Sequence, residues 1–237
     1  MKKIFFITIL ILFVNLVNSQ TQSDFFNEAN EFLKNNVSVD GKVNYTGLKK
    51  SPGELFYILG NVTKLKLEAN NKDVEIAFWI NAYNLLVIKN IIDNYPVKSV
   101  NFVTDFFDTK FAVANTDVTL NEIESKLNDL LKDASIHFVL AKGTNGGSRL
   151  LNSAYIPETI SYQMSMQVKS SVNKPGFFKL NKDTNSIELP TFFQTYKKDF
   201  VTLYFNEIDF LNVFLEKKID NKMKISYTKP DGSLNEK

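Results

Sequence analysis

The residues here that could do chemistry are few. Glu124 and His137 form one pair, and His137 is the single histidine of the 237-residue chain. A carboxylate beside an imidazole can work as an acid–base couple when the imidazole titrates near the working pH. Water, Ser148 or Ser125 would then supply the attacking oxygen. Ser125 follows Glu124 directly, and neighbours on a helix do not face one another, so it is a poor partner. The opposing expectation is that a lone histidine in the apolar run Ile136-His137-Phe138-Val139-Leu140-Ala141 is a hydrogen-bonded core residue on a short strand. Lys142 could act as a nucleophile only if desolvated. Beside Gly143 in a polar loop, it is expected to be solvated. Arg149, the sole arginine, could grip a carboxylate through two parallel hydrogen bonds. An ordinary surface ion pair is the plainer expectation for it. Asn81 and Asn84 interrupt an otherwise apolar helix, where a plain core would have leucine. Glu124 and His137 are thus the catalytic candidates, and Asn81, Asn84, Lys142 and Arg149 the binding candidates.

Other chemistries are excluded by composition. There is no cysteine, so there is no thiol nucleophile and no disulfide. With one histidine and no cysteine, a zinc site of the usual ligand types is not expected, and no cofactor is implied. The loop Lys142-Gly143-Thr144-Asn145-Gly146-Gly147-Ser148 is glycine-rich, but it lacks the GK[ST] ending that a phosphate-binding loop carries into its helix.

The stretch Glu75–Pro96, EIAFWINAYNLLVIKNIIDNYP, must position these groups. It is apolar on nearly every side, which predicts a helix at the centre of a core. At about 100° per residue, Glu75, Lys89 and Asp93 fall about 80–120° round from Asn81, and Asn84 falls at about 300°. Asn84 therefore faces inward, and Asn81 lies off the wet stripe. Tyr95-Pro96 should end the helix.

Around it the spacing predicts a first helix over 24–36, capped by Ser23 or Asp24. A hairpin follows across Asp40-Gly41, ending in Val43-Asn44-Tyr45. Ser51-Pro52-Gly53-Glu54 reads as a capping box with proline at the first helical position. A second hairpin is expected across Asn115-Thr116-Asp117, and a capping box at Thr119 and Glu122 opens the helix carrying Glu124. Pro157 should begin a helix to Val172. A third hairpin is expected across Asp183-Thr184-Asn185, with short helices at Pro190 and Ile208 and a short strand in the tail. No repeat or linker divides the chain. The expectation is one α+β domain, residues 20–237, helix-rich around a buried central helix of about residues 73–94, with short, mostly antiparallel strands and hairpins.

Residues 1–19, MKKIFFITILILFVNLVNS, have the lysines, apolar run and small-residue end of a signal peptide, with cleavage expected after Ser19. The apolar run is short for a membrane span. Export to the periplasm or the outside is the expectation. The leader carries two of the 28 basic residues, leaving 26 against 26 acidic ones. A neutral mature chain has no electrostatic case for nucleic-acid binding.

The order of motifs resembles that of the domain of unknown function 547 family. Ala77-Phe78-Trp79-Ile80-Asn81-Ala82-Tyr83-Asn84-Leu85 is similar to that family's most specific signature, A-F-W-[IL]-N-x-Y-N-x-L. Gly41-Lys42-Val43-Asn44-Tyr45, Tyr95-Pro96-Val97, Leu120-Asn121-Glu122-Ile123-Glu124 and Ile136-His137-Phe138-Val139-Leu140 fit in sequence, as do Tyr196-Lys197-Lys198-Asp199-Phe200 and Asp231-Gly232-Ser233-Leu234-Asn235. The departures concern chemistry. Lys142 and Gly147 stand where the family commonly has cysteines, Ser125 where it has a histidine, and Gly232 where it has a tryptophan. If the resemblance implies thiol chemistry, this chain cannot perform it. Two expectations remain. One is an exported, non-catalytic binding or interaction protein taking a small ligand or a protein, with no nucleic acid and no membrane once the leader is cleaved. The other is a hydrolase using Glu124 and His137 with water or a serine.

Overall fold

In the computed structural model, residues 21–237 are described apart from Ala69. The expected leader, residues 1–19, lies outside the described residues. Thr21 caps the first helix, α1 (Gln22–Asn36), and Asp24 returns the bond, so the capping box sits two residues before the expected Ser23. Phe25, Ala29, Phe32 and Leu33 bury the expected face.

The hairpin expected at Asp40-Gly41 shrinks to one bridge between Val37 and Val43. A type I′ turn needs positive φ at both central residues, and only Gly41 has it, at 86°. Val43 also pairs with the C-terminal segment at Glu236. Asn44 then caps a helix, α2 (Tyr45–Lys50), by accepting from the Gly47 amide. The capping box at Ser51 is also not formed. Pro52 already has helical backbone angles and is itself the cap of α3 (Gly53–Val62). Glu54 therefore sits at the second helical position, one short of where its side chain could reach back.

The central helix, α4, runs Lys72–Asp93. It is buried along nearly its whole length, with Asn81, Asn84 and Asn90 among its covered residues. The second hairpin pairs β1 (Phe111–Val113) with β2 (Thr116–Val118). Its turn is Ala114-Asn115, both at positive φ, one step earlier than the sequence suggested. Thr119 and Glu122 form the expected capping box of α5 (Leu120–Leu131).

The run expected as a strand is a single helical turn, α6 (Ile136–Val139). A strand must find a ladder, and the described sheets are the β1–β2 ribbon and one three-stranded sheet far along the chain. Enclosed by helices, the run satisfies its backbone locally and through the side chains of Asn84 and Gln167. Length and apolarity alone do not separate a buried strand from a buried helical turn.

After a 3-10 turn at Pro157–Thr159, α7 (Ile160–Val172) packs Ile160, Met164, Val168 and Val172 inward. The third hairpin joins β3 (Lys179–Asn181) to β4 (Ser186–Leu189) with Leu180 opposite Ile187. Three short helices follow, α8 (Thr191–Thr195), α9 (Lys197–Leu203) and α10 (Glu207–Phe214). The last strand, β5 (Lys224–Tyr227), adds to β4 in parallel. The fold is α+β, as expected, with its strands mostly antiparallel.

Two apolar clusters fill it. The larger surrounds α4. The smaller is dominated by Phe138, Phe193, Phe200 and Phe210. His137 and Phe138 on α6 therefore stand where the two meet. Among the described residues, no helix is long and apolar enough to cross a membrane.

Candidate functional site

Asn81 and Asn84, two of the three asparagines of α4, are buried and hold backbone. Asn81 donates to the Ala77 and Tyr155 carbonyls at 2.9 and 2.8 Å and accepts from the Tyr155 amide at 2.9 Å. Asn84 donates to the Val139 carbonyl at 3.0 Å and accepts from the Ala141 amide at 2.9 Å. Each amide thus acts as a two-way clamp. Asn81 fixes the segment before α7, and Asn84 fixes the chain leaving α6, between His137 and Lys142. Gly143 follows at φ 75°, and an added Cβ there would meet Ile91 Cδ1 at 2.5 Å. Only glycine lets the loop lie this close to α4.

The clamp delivers Lys142 inward, against the expectation of a solvated side chain. Its ammonium is hydrogen-bonded to Glu124 Oε2. The rings of Tyr83 and Phe107, each at 5.2 Å, and of Tyr196 at 5.7 Å surround it. Burial pulls the Lys142 amine below its usual range, and Glu124 opposes that shift. A sequence window sees a lysine beside glycines in a polar loop. It does not see that three distant rings close over it.

His137 lies at the same place, its ring fully covered. It stacks on Tyr196 with centroids 3.7 Å apart and planes 14° from parallel. Its Nε2 is 2.8 Å from Asp199 Oδ2, and its Nδ1 is 3.8 Å from Glu124 Oε1. Burial holds the imidazole below its ordinary value of 6.5, outweighing the opposing pull of Asp199 and Glu124. A neutral ring donates its one proton from Nε2 to Asp199, which leaves a lone pair on Nδ1 facing a Glu124 oxygen. Neither atom has a hydrogen-bond partner. Two acceptors are opposed with no proton between them, so the pair is not set as an acid–base couple.

This arrangement fixes the sign of a pH effect. The unfolded histidine takes up a proton near pH 6.5, whereas the folded one resists it. Stability is then full above pH 6.5 and falls as pH drops below it, by at most about 1.4 kcal/mol per pH unit for one proton. Denaturant titrations at about pH 7.5, 6.5 and 5.5 should show this decline, and His137→Phe should flatten it. An equal decline in the variant would assign it to other groups.

The serines do not complete a triad. Ser148 donates its hydroxyl to the His137 carbonyl oxygen, not to the ring. Ser125 is exposed on α5. Among the described residues, Arg149 forms neither the carboxylate grip nor the surface ion pair. Its guanidinium donates to the Val39 carbonyl at 2.7 Å, Gln167 Oε1 at 3.1 Å and Ser170 Oγ at 3.4 Å. Among the described residues, no cluster of histidine and carboxylates could hold a metal ion.

Asp199, Tyr196 and Tyr83 were not singled out as site residues from the sequence. A signal existed for all three, since Ala77–Leu85 and Tyr196–Phe200 are among the stretches that carry the resemblance. Burial and the nearby Glu124 charge push the Tyr196 phenol up, and burial above all does the same for Tyr83.

A cleft of about 1090 Å³ lies against the Thr144–Arg149 loop. Its walls are Ser38–Lys42, that loop, and the end of α7 through Phe177, with Phe138 and Phe192 also lining it. Glu124 and His137 are not among its lining residues.

No curated protein and no solved structure matches the chain. A family model does: residues 67–170 match the one described as a protein of unknown function, DUF547. That stretch spans α4, α5 and α6, including Asn81, Asn84, Glu124, His137, Lys142 and Arg149. The helix, the clamps and the Glu124–Lys142 pair therefore all lie in the stretch that is similar to DUF547, as the resemblance implied.

Proposed function

We propose that the protein is an exported, non-catalytic binding protein whose ligand occupies the 1090 Å³ cleft beside Arg149. The observation that carries this reading is the separation of cleft from couple. A Glu–His enzyme needs both groups within hydrogen-bond reach at the floor of an open cleft. Here they are 3.8 Å apart and absent from the cleft's walls. The cleft itself has the size and mixed polar and aromatic lining typical of small-molecule sites. Asn84 and Lys142 then serve the site by holding the start of the loop that forms one wall, Asn81 by fixing the segment that leads into α7, and Arg149 by lining it. The leader-like residues 1–19 support export, with a mature chain starting near Gln20.

One observation favours the hydrolase alternative. Glu124 Oε1 and His137 Nδ1 are both buried without partners, as groups awaiting a substrate proton would be. The enclosure of the histidine ring and the engagement of Ser148 weigh against it.

The test is a thermal-shift screen of the secreted protein, its N-terminus first established by intact mass, against a broad panel of small molecules. A ligand at about 100 times its dissociation constant stabilises by about 2.7 kcal/mol. Protection that Phe177→Ser removes is the expected result. Release of an ester or amide product, abolished by Glu124→Gln, would replace this reading with the hydrolase.

A further inference from the structure

The lining of the cleft says more than its size. Resting on the binding reading above, we infer that its ligand is a small organic oxyanion, a carboxylate or a phosphate, joined to an aromatic or other apolar group.

Three observations converge. The first is the state of Arg149. Its three acceptors are all neutral, and among the described residues no carboxylate pairs with it. Gln167, which is 2% exposed, holds the guanidinium with its oxygen and ties its own nitrogen to the Phe138 and Arg149 carbonyls. The guanidinium is thus anchored at a wall of the cleft without its charge being neutralised. A pre-positioned planar fork of this kind suits an oxyanion.

The second is the charge of the remaining lining. Lys42 and Lys174 join Arg149, and Asp40 is the one carboxylate among the lining residues. Lys42 bonds to a neutral acceptor, Asn145 Oδ1. Asp40 is engaged by the Ser38 hydroxyl, which is the main cause of its lowered pKa, with both lysines adding to it. Asp231, outside the lining, also feels Lys42, and three cations against these two carboxylates still leave the cleft with a positive excess, although the mature chain as a whole is neutral. Such a local excess raises the local concentration of anions.

The third is the aromatic side. Phe138 meets Phe192 edge to face at 5.2 Å and lies stacked on Phe177 at 6.1 Å. All three rings line the cleft. Phe177 and Phe192 are half-buried, each with one face packed on a neighbouring ring, and the part of each that is left exposed can meet an apolar group. A free inorganic anion would leave these rings unused, and a neutral hydrophobe would leave the guanidinium unanswered.

Isothermal titration with four probes tests the ligand class: phenylacetate, phenyl phosphate, neutral phenylacetamide and acetate. One of the two aryl anions should bind at least about tenfold more tightly than both phenylacetamide and acetate, the step one charge-assisted hydrogen bond provides. The tighter of the two names the head group. Its binding should weaken between roughly 20 and 200 mM salt, as charge attraction is screened. Lys42→Gln with Lys174→Gln, changed together at the cleft's rim, should weaken it about tenfold, and Arg149→Met by more. Retained melting temperature and retained phenylacetamide binding would show these variants folded. Phenylacetamide binding as tightly as the anions overturns the ligand class but leaves the binding reading intact. Failure of both aryl anions also overturns it. If, in addition, the broad panel yields no hit sensitive to Phe177→Ser, the binding reading falls with it.

Discussion

Asn84→Leu and Asn81→Leu should each lower the free energy of unfolding by roughly 3–5 kcal/mol, with little change in helix content. Leucine has as many side-chain heavy atoms as asparagine and is no smaller, so the loss does not come from a cavity. It comes from the backbone groups left behind. Asn84→Leu strands the Val139 carbonyl and the Ala141 amide. Asn81→Leu strands both polar groups of Tyr155. Each buried group left unpaired costs about 1–3 kcal/mol, and the added apolar surface returns part of that. Urea unfolding measures the difference directly. His137→Ala, which loosens the same segment from its other end, should not add fully to Asn84→Leu, because neighbours in one network couple. If both asparagine variants kept stability near wild type while ligand protection vanished, the amides would be groups given over to function rather than clamps.

The amphipathic helices and the inward face of α4 were legible because they rest on period and composition alone. The angular placement of Asn84 against Glu75, Lys89 and Asp93 needed only helix geometry, and the residue is 2% exposed. Capping was half-legible. Thr119 and Glu122 form their box, yet at Ser51 the helical backbone of Pro52 moves the cap by one residue. What failed was anything decided by distant partners. Ile136–Val139 reads equally well as strand or helix, and the absence of a neighbouring strand made it a helix. The hairpin at Asp40-Gly41 keeps a single bridge, and its second strand also pairs with a C-terminal segment almost 200 residues away, a partner no local window shows. The site followed the same division. Glu124 and His137 were found by residue type, but their spacing, their lack of a shared proton and the ring of Tyr196 over His137 depend on helices that meet only in the fold. Lys142 was misread for the same reason.

Lys142 supplies the second large effect. Glu124→Leu leaves an ammonium among Tyr83, Phe107 and Tyr196 with no carboxylate, and Lys142→Met leaves a carboxylate that is 11% exposed. Breaking one side of a buried pair costs about 3–5 kcal/mol. The lysine is 21% exposed, so its long stem can carry the charge outward, which brings the Glu124→Leu loss down to roughly 2–3 kcal/mol. Glu124 has a shorter side chain and no such escape, so Lys142→Met should be the more costly single change. The double variant, with an apolar pair in the same aromatic enclosure, should be more stable than either single one, because removing both charges removes the need to desolvate either. A coupling of at least about 1.5 kcal/mol in that cycle is expected, and fully additive losses would show that the two groups do not form a buried pair. Lys142→Met has a second readout that a packing defect would not reproduce. The lysine charge helps hold the His137 imidazole neutral, while Glu124 pulls the other way. With the lysine gone and Glu124 kept, His137 should titrate at higher pH, seen in the shift of its ring protons by NMR. In the Glu124→Leu variant it should move down instead. Opposite movements of one histidine in two variants, both less stable than the parent, would tie Lys142, Glu124 and His137 into one electrostatic unit.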